Sequence, residues 1–353
     1  MKMNPIKSSK QEIPNAFIKH DFQKTWKYFP LKRSFIEIAK KLLFGLFPQC
    51  FIQWDIYQNW QNAQVFRKKS LHFRKFDLWR GKFTNSYKIN VINKTKRTKI
   101  AKQYSNLAVA IHAFYPEIFG EILQMLGDSN FRDLTLYVTT TSGASAEIEL
   151  LLKQSPFHFE IIVVENRGRD ILPFLIVLRK IFDDGHQLVL KLHTKGSNHL
   201  NKKELWKNDL FEKLIGKDTL AKNVQLFNQN NMLGILGPVG HIVPMYLYYG
   251  ANALNVKILS DKLGIENKRL QNLCFVAGSM FFARKEALMP ILNLGLSENN
   301  FEQENRQLDG TMAHAVERAF GLGLIVSGLK LADSSSTPEK ISCRITKDHY
   351  FTI

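Results

Sequence analysis

The sequence predicts an α/β fold, a mainly parallel sheet with helices on both faces, preceded by a basic N-terminal extension. Three observations carry this. Beyond Asn106, short continuous apolar runs alternate with amphipathic stretches. Runs without polar alternation read as strands buried on both faces, and the stretches between them as crossover helices. Charge is segregated: residues 1–105 hold 23 Lys/Arg and 5 Asp/Glu, a net +18, whereas residues 106–353 hold 26 of each. Finally, the most unusual polar residues fall just after the apolar runs, where ligands of such sheets bind.

The first regular element is a helix over 34–47. Ser34 with Glu37 fits a capping box, and Pro48 ends it. Phe35, Ile38, Ala39, Leu42, Leu43 and Leu46 share one side, opposite Glu37, Lys40 and Lys41. Its length suits a membrane interface or a protein surface but not a crossing. Residues 1–30 are polar and basic and read as irregular. Between Phe51 and Lys102 aromatic and basic residues interleave, as in Phe66-Arg67-Lys68-Lys69. That pattern serves a solvated basic face, phosphate contacts or base stacking. In the body, Leu107–Phe114, Leu134–Thr140, Phe159–Val164 and Leu188–Leu192 read as strands. Glu117–Leu126, Ala144–Lys153 and Ile171–Phe182 read as helices. The division is a basic region 1–105, a body 106–330 and a tail 331–353.

Composition narrows the function classes. Cys50, Cys274 and Cys343 are far apart and odd in number, which argues against a disulfide framework and for a reducing compartment. Met1–Asn15 has no apolar core of a secretory signal, and no run of 18 apolar residues exists. The basic front end points to an anionic partner: a membrane surface, a polyanionic glycan or nucleic acid. The neutral body argues against nucleic acid, since such binders spread positive charge along the main groove.

Three strand ends carry candidate chemistry. The first, His112-Ala113-Phe114-Tyr115-Pro116, offers an imidazole and an aromatic plate for a base or sugar ring, or simply packing groups. The third, Glu165-Asn166-Arg167-Gly168-Arg169-Asp170, combines a turn glycine with two arginines able to fork onto phosphate oxygens. Asp170 is placed to cap the helix that follows. The fourth, Lys191-Leu192-His193-Thr194-Lys195-Gly196-Ser197, presents ammonium, imidazole and hydroxyl groups, fixed donors for developing negative charge. Later, residues 302–318 gather Glu302, Glu304, Asp309, His314, Glu317 and Arg318. A helix beginning near Leu308 would put Asp309 in its first turn, where the helix dipole favours the carboxylate. There it is suited to general-base work. Glu302, Glu304, His314 and Arg318 are secondary acid/base or acceptor-side candidates. No Cys-x-x-Cys, His-Glu-x-x-His or Walker motif appears, so no metal ligands are assigned.

In order, these segments resemble the rhamnan synthesis F family of polysaccharide glycosyltransferases over about residues 105–330. The resemblance rests on His112–Pro116, Tyr137–Ser142, Asn166–Phe174, Lys191–Lys195, Ala277–Arg284 and Asp309–Arg318. It implies a GT-A-like (nucleotide-diphospho-sugar transferase) fold. It also implies transfer of a deoxyhexose, typically L-rhamnose from dTDP-rhamnose, to a lipid-linked cell-surface polysaccharide by inverting single displacement. Asp309 would be the catalytic base. His112, Tyr115, Asn166, Arg167, Gly168, Arg169, Asp170, His193, Thr194 and Lys195 would hold the nucleotide-sugar donor. Such transferases usually present two metal-holding carboxylates at the fourth strand end; here basic donors replace them, so no metal or other cofactor is expected. Gly196 stands where relatives often carry a second basic residue. The expected location is cytoplasmic, peripheral on the inner face of the cell membrane. The competing function is a non-catalytic module that binds nucleic acid or anionic glycan through the basic region.

Overall fold

The computed structural model describes residues 33–51, 54, 56–61, 106–194, 201–270, 272–305, 307, 309–347 and 349. Most of the basic region, including 62–105, and Lys195 lie outside the described residues. Ahead of the body stands helix α1 (Arg33–Leu46); Pro48 opens a further helical turn, Pro48–Phe51.

The first half of the body alternates strands and helices: β1 (Leu107–Ala113), α2 (Pro116–Asp128), β2 (Leu134–Thr140), α3 (Ser145–Gln154), β3 (His158–Val163), α4 (Ile171–Asp183) and β4 (Leu188–His193). Each agrees with its predicted element to within about two residues, the usual scatter at element ends. The second half runs α5 (Asn201–Ile215), α6 (Thr219–Gln229), β5 (Leu233–Gly237), β6 (Ile242–Pro244), α7 (Ala253–Lys262), β7 (Cys274–Val276), β8 (Phe281–Arg284), α8 (Lys285–Leu292), α9 (Met312–Ser327) and β9 (Lys330–Asp333).

Seven strands form one sheet in the order β3-β2-β1-β4-β8-β5-β9, and β6 pairs with β7 separately. The pairs β1–β2, β2–β3, β1–β4 and β5–β9 are parallel. Only β8 is reversed, antiparallel to both β4 and β5. The chain winds outward from β1 through β2 to β3, then crosses back to place β4 on the other side of β1. The crevice outside the carboxyl ends of β1 and β4 is therefore the topological switch point, the standard ligand position of an open α/β sheet.

Alternation along β1 divides the core. Leu107, Val109 and Ile111 pack with α2, α3, α5 and α6, while Ala108 and Ala110 face α4. Small side chains on that face let α4, nearly all of whose apolar residues are buried, lie close to the sheet. Each large side chain buried this way contributes about 1.5–3 kcal/mol. On the same side, Phe174, Phe281 and Phe320 meet edge to face at 5.1–6.3 Å. The edge strand β3 is the least covered, with both its end residues exposed.

The boundary drawn at 330 runs through β9, so 331–333 belong to the sheet. The chain beyond stays on the body: Arg344 N donates to Asp333 Oδ2 at 2.5 Å, Thr346 N to the Ile242 carbonyl at 2.7 Å, and Tyr248 Oη to the Lys347 carbonyl at 2.8 Å. Ile341, Cys343 and Ile345 of this stretch pack against the hydrophobic core.

Candidate active site

At the switch point, β1 and β4 place His112 directly beside His193. Both are buried, as is Lys191 two strand residues further in. An ammonium at 1% exposure needs a counter-charge, and Asp170 supplies it: Lys191 Nζ donates to Asp170 Oδ2 at 2.5 Å and to the Ser279 carbonyl at 2.8 Å. The same ammonium lies 5.3 Å from the Phe174 ring centroid. His193 Nδ1 is 3.5 Å from Asp170 Oδ2. Burial alone would raise the Asp170 pKa; His193 and Lys191 outweigh it and hold the carboxyl well below the usual carboxylate range. Burial also lowers His112 to about 4, Lys191 adding to the effect and Asp170 opposing it. His112 is thus a neutral imidazole, its Nδ1 3.1 Å from Thr139 Oγ1.

Asp170 does not cap α4 as the sequence predicts. It occupies the N-cap position but makes no side-chain cap bond, because the buried lysine claims the carboxylate. Thr194 is also engaged at home. Its Oγ1 accepts from the amides of Phe114 and Tyr115 at 2.8 and 3.0 Å, tying the end of β4 to the turn after β1. Tyr115 stands at the N-cap of α2, its ring 5.0 Å from Phe114.

The loop after β3 joins the cluster through Asp170 and engages later chain through its two arginines. Gly168 (φ +67°) and Arg169 (φ +57°) are both left-handed, a conformation costly for a long side chain. A Cβ on Gly168 would come within 2.5 Å of Leu172 Cβ and 2.9 Å of the Phe301 ring, so only glycine fits. The turn delivers both arginines to the strap between α8 and α9, residues 293–311. Arg167 donates to the Glu298 carbonyl at 3.2 Å and its backbone bridges to Gln303. Arg169 donates through Nε to Glu304 at 3.2 Å, through Nη1 to His314 Nε2 at 3.0 Å, and through Nη2 to the Gln307 carbonyl. Asn166 is exposed beside them.

Since a guanidinium only donates, His314 Nε2 accepts, and Nδ1 carries the proton that it gives to Thr311 Oγ1 at 2.7 Å. Burial, with Arg169 beside it, lowers the His314 pKa to about 4, consistent with that neutral tautomer.

Helix α9 starts at Met312, not near Leu308. Gly310 is left-handed (φ +85°), and Thr311 becomes the N-cap. Glu302 caps the same end, both its oxygens accepting from the Met312 amide at 2.9 and 3.2 Å, where a negative charge favours the helix. Asp309 therefore lies before the helix and owes its ionisation to specific donors. Ala251 N donates to Oδ2 at 2.9 Å and Asn252 Nδ2 to Oδ1 at 2.5 Å, with Arg318 Nη2 at 3.9 Å. Burial opposes ionisation, yet Arg318 and the two donors hold the Asp309 pKa below its ordinary value. Its side chain keeps 34% exposure, so the carboxylate can still be reached. Arg318 itself is buried, donating to the Tyr248 and His314 carbonyls at 2.8 and 2.6 Å.

Thus the structure brings His112, Asp170 and His193 together at the switch point, and Arg169, Glu304, His314, Asp309 and Arg318 together where the strap meets α9. Lys191, part of the fourth strand-end motif, belongs to the first group, as does the Ser279 carbonyl, which no local sequence pattern marks. Among the described residues, no group of three or more His, Cys, Asp or Glu is arranged to hold a metal ion. A cavity of about 750 Å³ lined by Gln187, Lys285 and Met289 sits where β4 begins, the opposite end of the sheet, and has no part in this geometry.

Comparison with known proteins agrees with the reading of the motifs. The model of the family described as rhamnan synthesis protein F matches residues 73–326, and the chain belongs to that family. The match starts inside the basic region, ahead of the boundary at 105. Two proteins named uncharacterized protein WxcX, from two strains of Xanthomonas campestris pv. campestris, are each 35% identical over 229 residues. That alignment takes in 65% of this chain and 33% of theirs, so the chain spans about a third of the length of these relatives.

Proposed function

We propose that the protein is an inverting glycosyltransferase with a GT-A-like fold that moves a deoxyhexose, L-rhamnose from dTDP-rhamnose, onto a lipid-linked cell-surface polysaccharide. The observation that carries this reading is the cluster of Lys191, Asp170, His193 and His112 at the switch point of a sheet with one reversed strand. Imidazole donors at the strand ends, with Lys195 following in sequence, suit a nucleotide diphosphate, whose negative charge grows as the sugar leaves. Asp170 pairs with Lys191 and lies 3.5 Å from His193, the last residue of β4. In this reading the donor diphosphate is neutralised by these groups without a metal.

The acceptor hydroxyl must lose its proton as it attacks the anomeric carbon. Asp309 is ionised at neutral pH, half-open to solvent, and held in place by Ala251, Asn252 and Arg318. It is the carboxylate of the strap best suited to take that proton, because Glu302 caps α9 and Glu304 pairs with Arg169. His314 and Arg318 act through Asp309 and the strap.

Calorimetric titration of the protein with dTDP-rhamnose, dTDP, and other nucleotide-sugars tests donor class. Saturable binding of dTDP-rhamnose that survives chelator is expected. If chelator abolishes transfer and Mn²⁺ restores it, the metal-independent part fails. If no nucleotide-sugar binds and membranes yield no labelled product, the catalytic reading fails.

A further inference from the structure

Helix α1 is attached to the protein by the side opposite to the one its sequence would bury. Phe44 is 1% exposed, its ring edge-on to Phe51, Tyr57 and Trp60 at 5.1, 5.4 and 5.4 Å. The helix also touches the short helical turn Met245–Tyr248 of the body. This contact turns the apolar stripe outward. Ile38 is 39% exposed, Leu42 57%, Leu46 69% and Phe47 57%. Residues 38, 42 and 46 are spaced by four, so they form one ridge along the helix. Lys41 is exposed beside it.

We propose that this ridge is a membrane-docking surface whose partner is an anionic lipid bilayer. Two independent features select that occupant. The ridge is apolar and continuous, which a polyanionic glycan or nucleic acid would not need. The stretch of chain that contains it, residues 1–105, carries the entire net charge of +18. A second copy seated on the ridge would bring two such regions together against their repulsion. An anionic bilayer offers acyl chains to the ridge and headgroups to the lysines and arginines. At 14 residues, α1 is about 21 Å long, too short for a hydrocarbon core of about 30 Å, so it lies in the interface. No helix among the described residues is long and apolar enough to cross a membrane. The attachment rests on this surface and not on the transfer chemistry, so it can fail while the proposed activity stands.

The test is flotation of the full chain with vesicles of phosphatidylcholine alone or with 30% phosphatidylglycerol (about that fraction gives a strongly negative surface). Binding to the anionic vesicles, weakened by salt, is expected. The double variant Leu42→Ser/Leu46→Ser should bind about tenfold more weakly or worse, from lost apolar insertion. Leu150→Ser, an equally exposed leucine on α3, should bind like the parent. Both variants change exposed side chains, and matching circular dichroism would show them folded. Undiminished binding of the double variant would overturn the docking role of the ridge, as would equal binding to both vesicle types or to neither. A parent dimer in sedimentation that the double variant dissolves would overturn it in favour of a second copy.

Discussion

The cluster at the ends of β1 and β4 and the strap above it are built from the same residue types by different means. In the first, Lys191 and Asp170 are fixed by strands and a helix start, Lys191 fully buried, and their charges answer each other. In the second, Asp309, His314 and Glu304 sit on or beside irregular backbone whose shape comes from side-chain bonds to Arg169 and Arg318. The first cluster is buried and internally paired. The strap is half-exposed and held from outside, which suits a segment that must admit an acceptor. In the proposed reaction, donor binding and proton removal would thus fall to a buried strand-end cluster and a half-exposed strap respectively.

Asp309→Asn should produce the largest change. It removes the proton acceptor but preserves size, so kcat should fall by about 100- to 10,000-fold with donor affinity nearly unchanged. If instead kcat holds while the melting temperature drops, Asp309 serves only to anchor the turn at 250–252. On the other side of the comparison, Asp170→Ala leaves a buried ammonium unpaired and should cost about 3–5 kcal/mol of stability. Adding Lys191→Met should recover most of that in urea denaturation. An Asp170→Ala protein as stable as the parent would contradict the buried pair.

Acid should erode both regions. His112 and His314, lowered to about 4 from 6.5, take up protons on unfolding between those values. The unfolded state binds more protons there, so stability is complete above about pH 6.5 and falls as pH drops toward 4. The cost is on the order of 3 kcal/mol per histidine at most. His314→Gln should flatten its share of the melting profile, and an unchanged profile would count against the neutral tautomer. Smallest is Arg169→Lys, which loses the fork to Glu304, His314 and Gln307, about 1–2 kcal/mol. Its expected signature is lower kcat with donor affinity intact; a tenfold weaker donor Kd would mean that Arg169 touches the donor.

The same contrast governs what the sequence discloses. Strands 1 to 4 and their helices are legible because each is a local pattern, and the switch point follows from their order. His112 and His193 are legible as strand-end residues for the same reason. The bonds of Arg169 to Glu304 and His314, 135 and 145 residues away, are not legible in a local pattern. The true start of α9 does have a local signal, a helix-disfavouring Gly310 followed by the N-cap Thr311. That α1 packs through Phe44 was hidden too, since its partners Tyr57 and Trp60 lie on a separate segment.

The central claim, single displacement at the switch point with Asp309 as base, is tested most directly by product stereochemistry. Proton NMR of the anomeric signal, followed from dTDP-β-L-rhamnose through the first turnover, distinguishes the outcomes. An α-linked product, inverted at the anomeric carbon, is predicted. A β-linked product would mean a double displacement or front-face attack and would contradict the role assigned to Asp309.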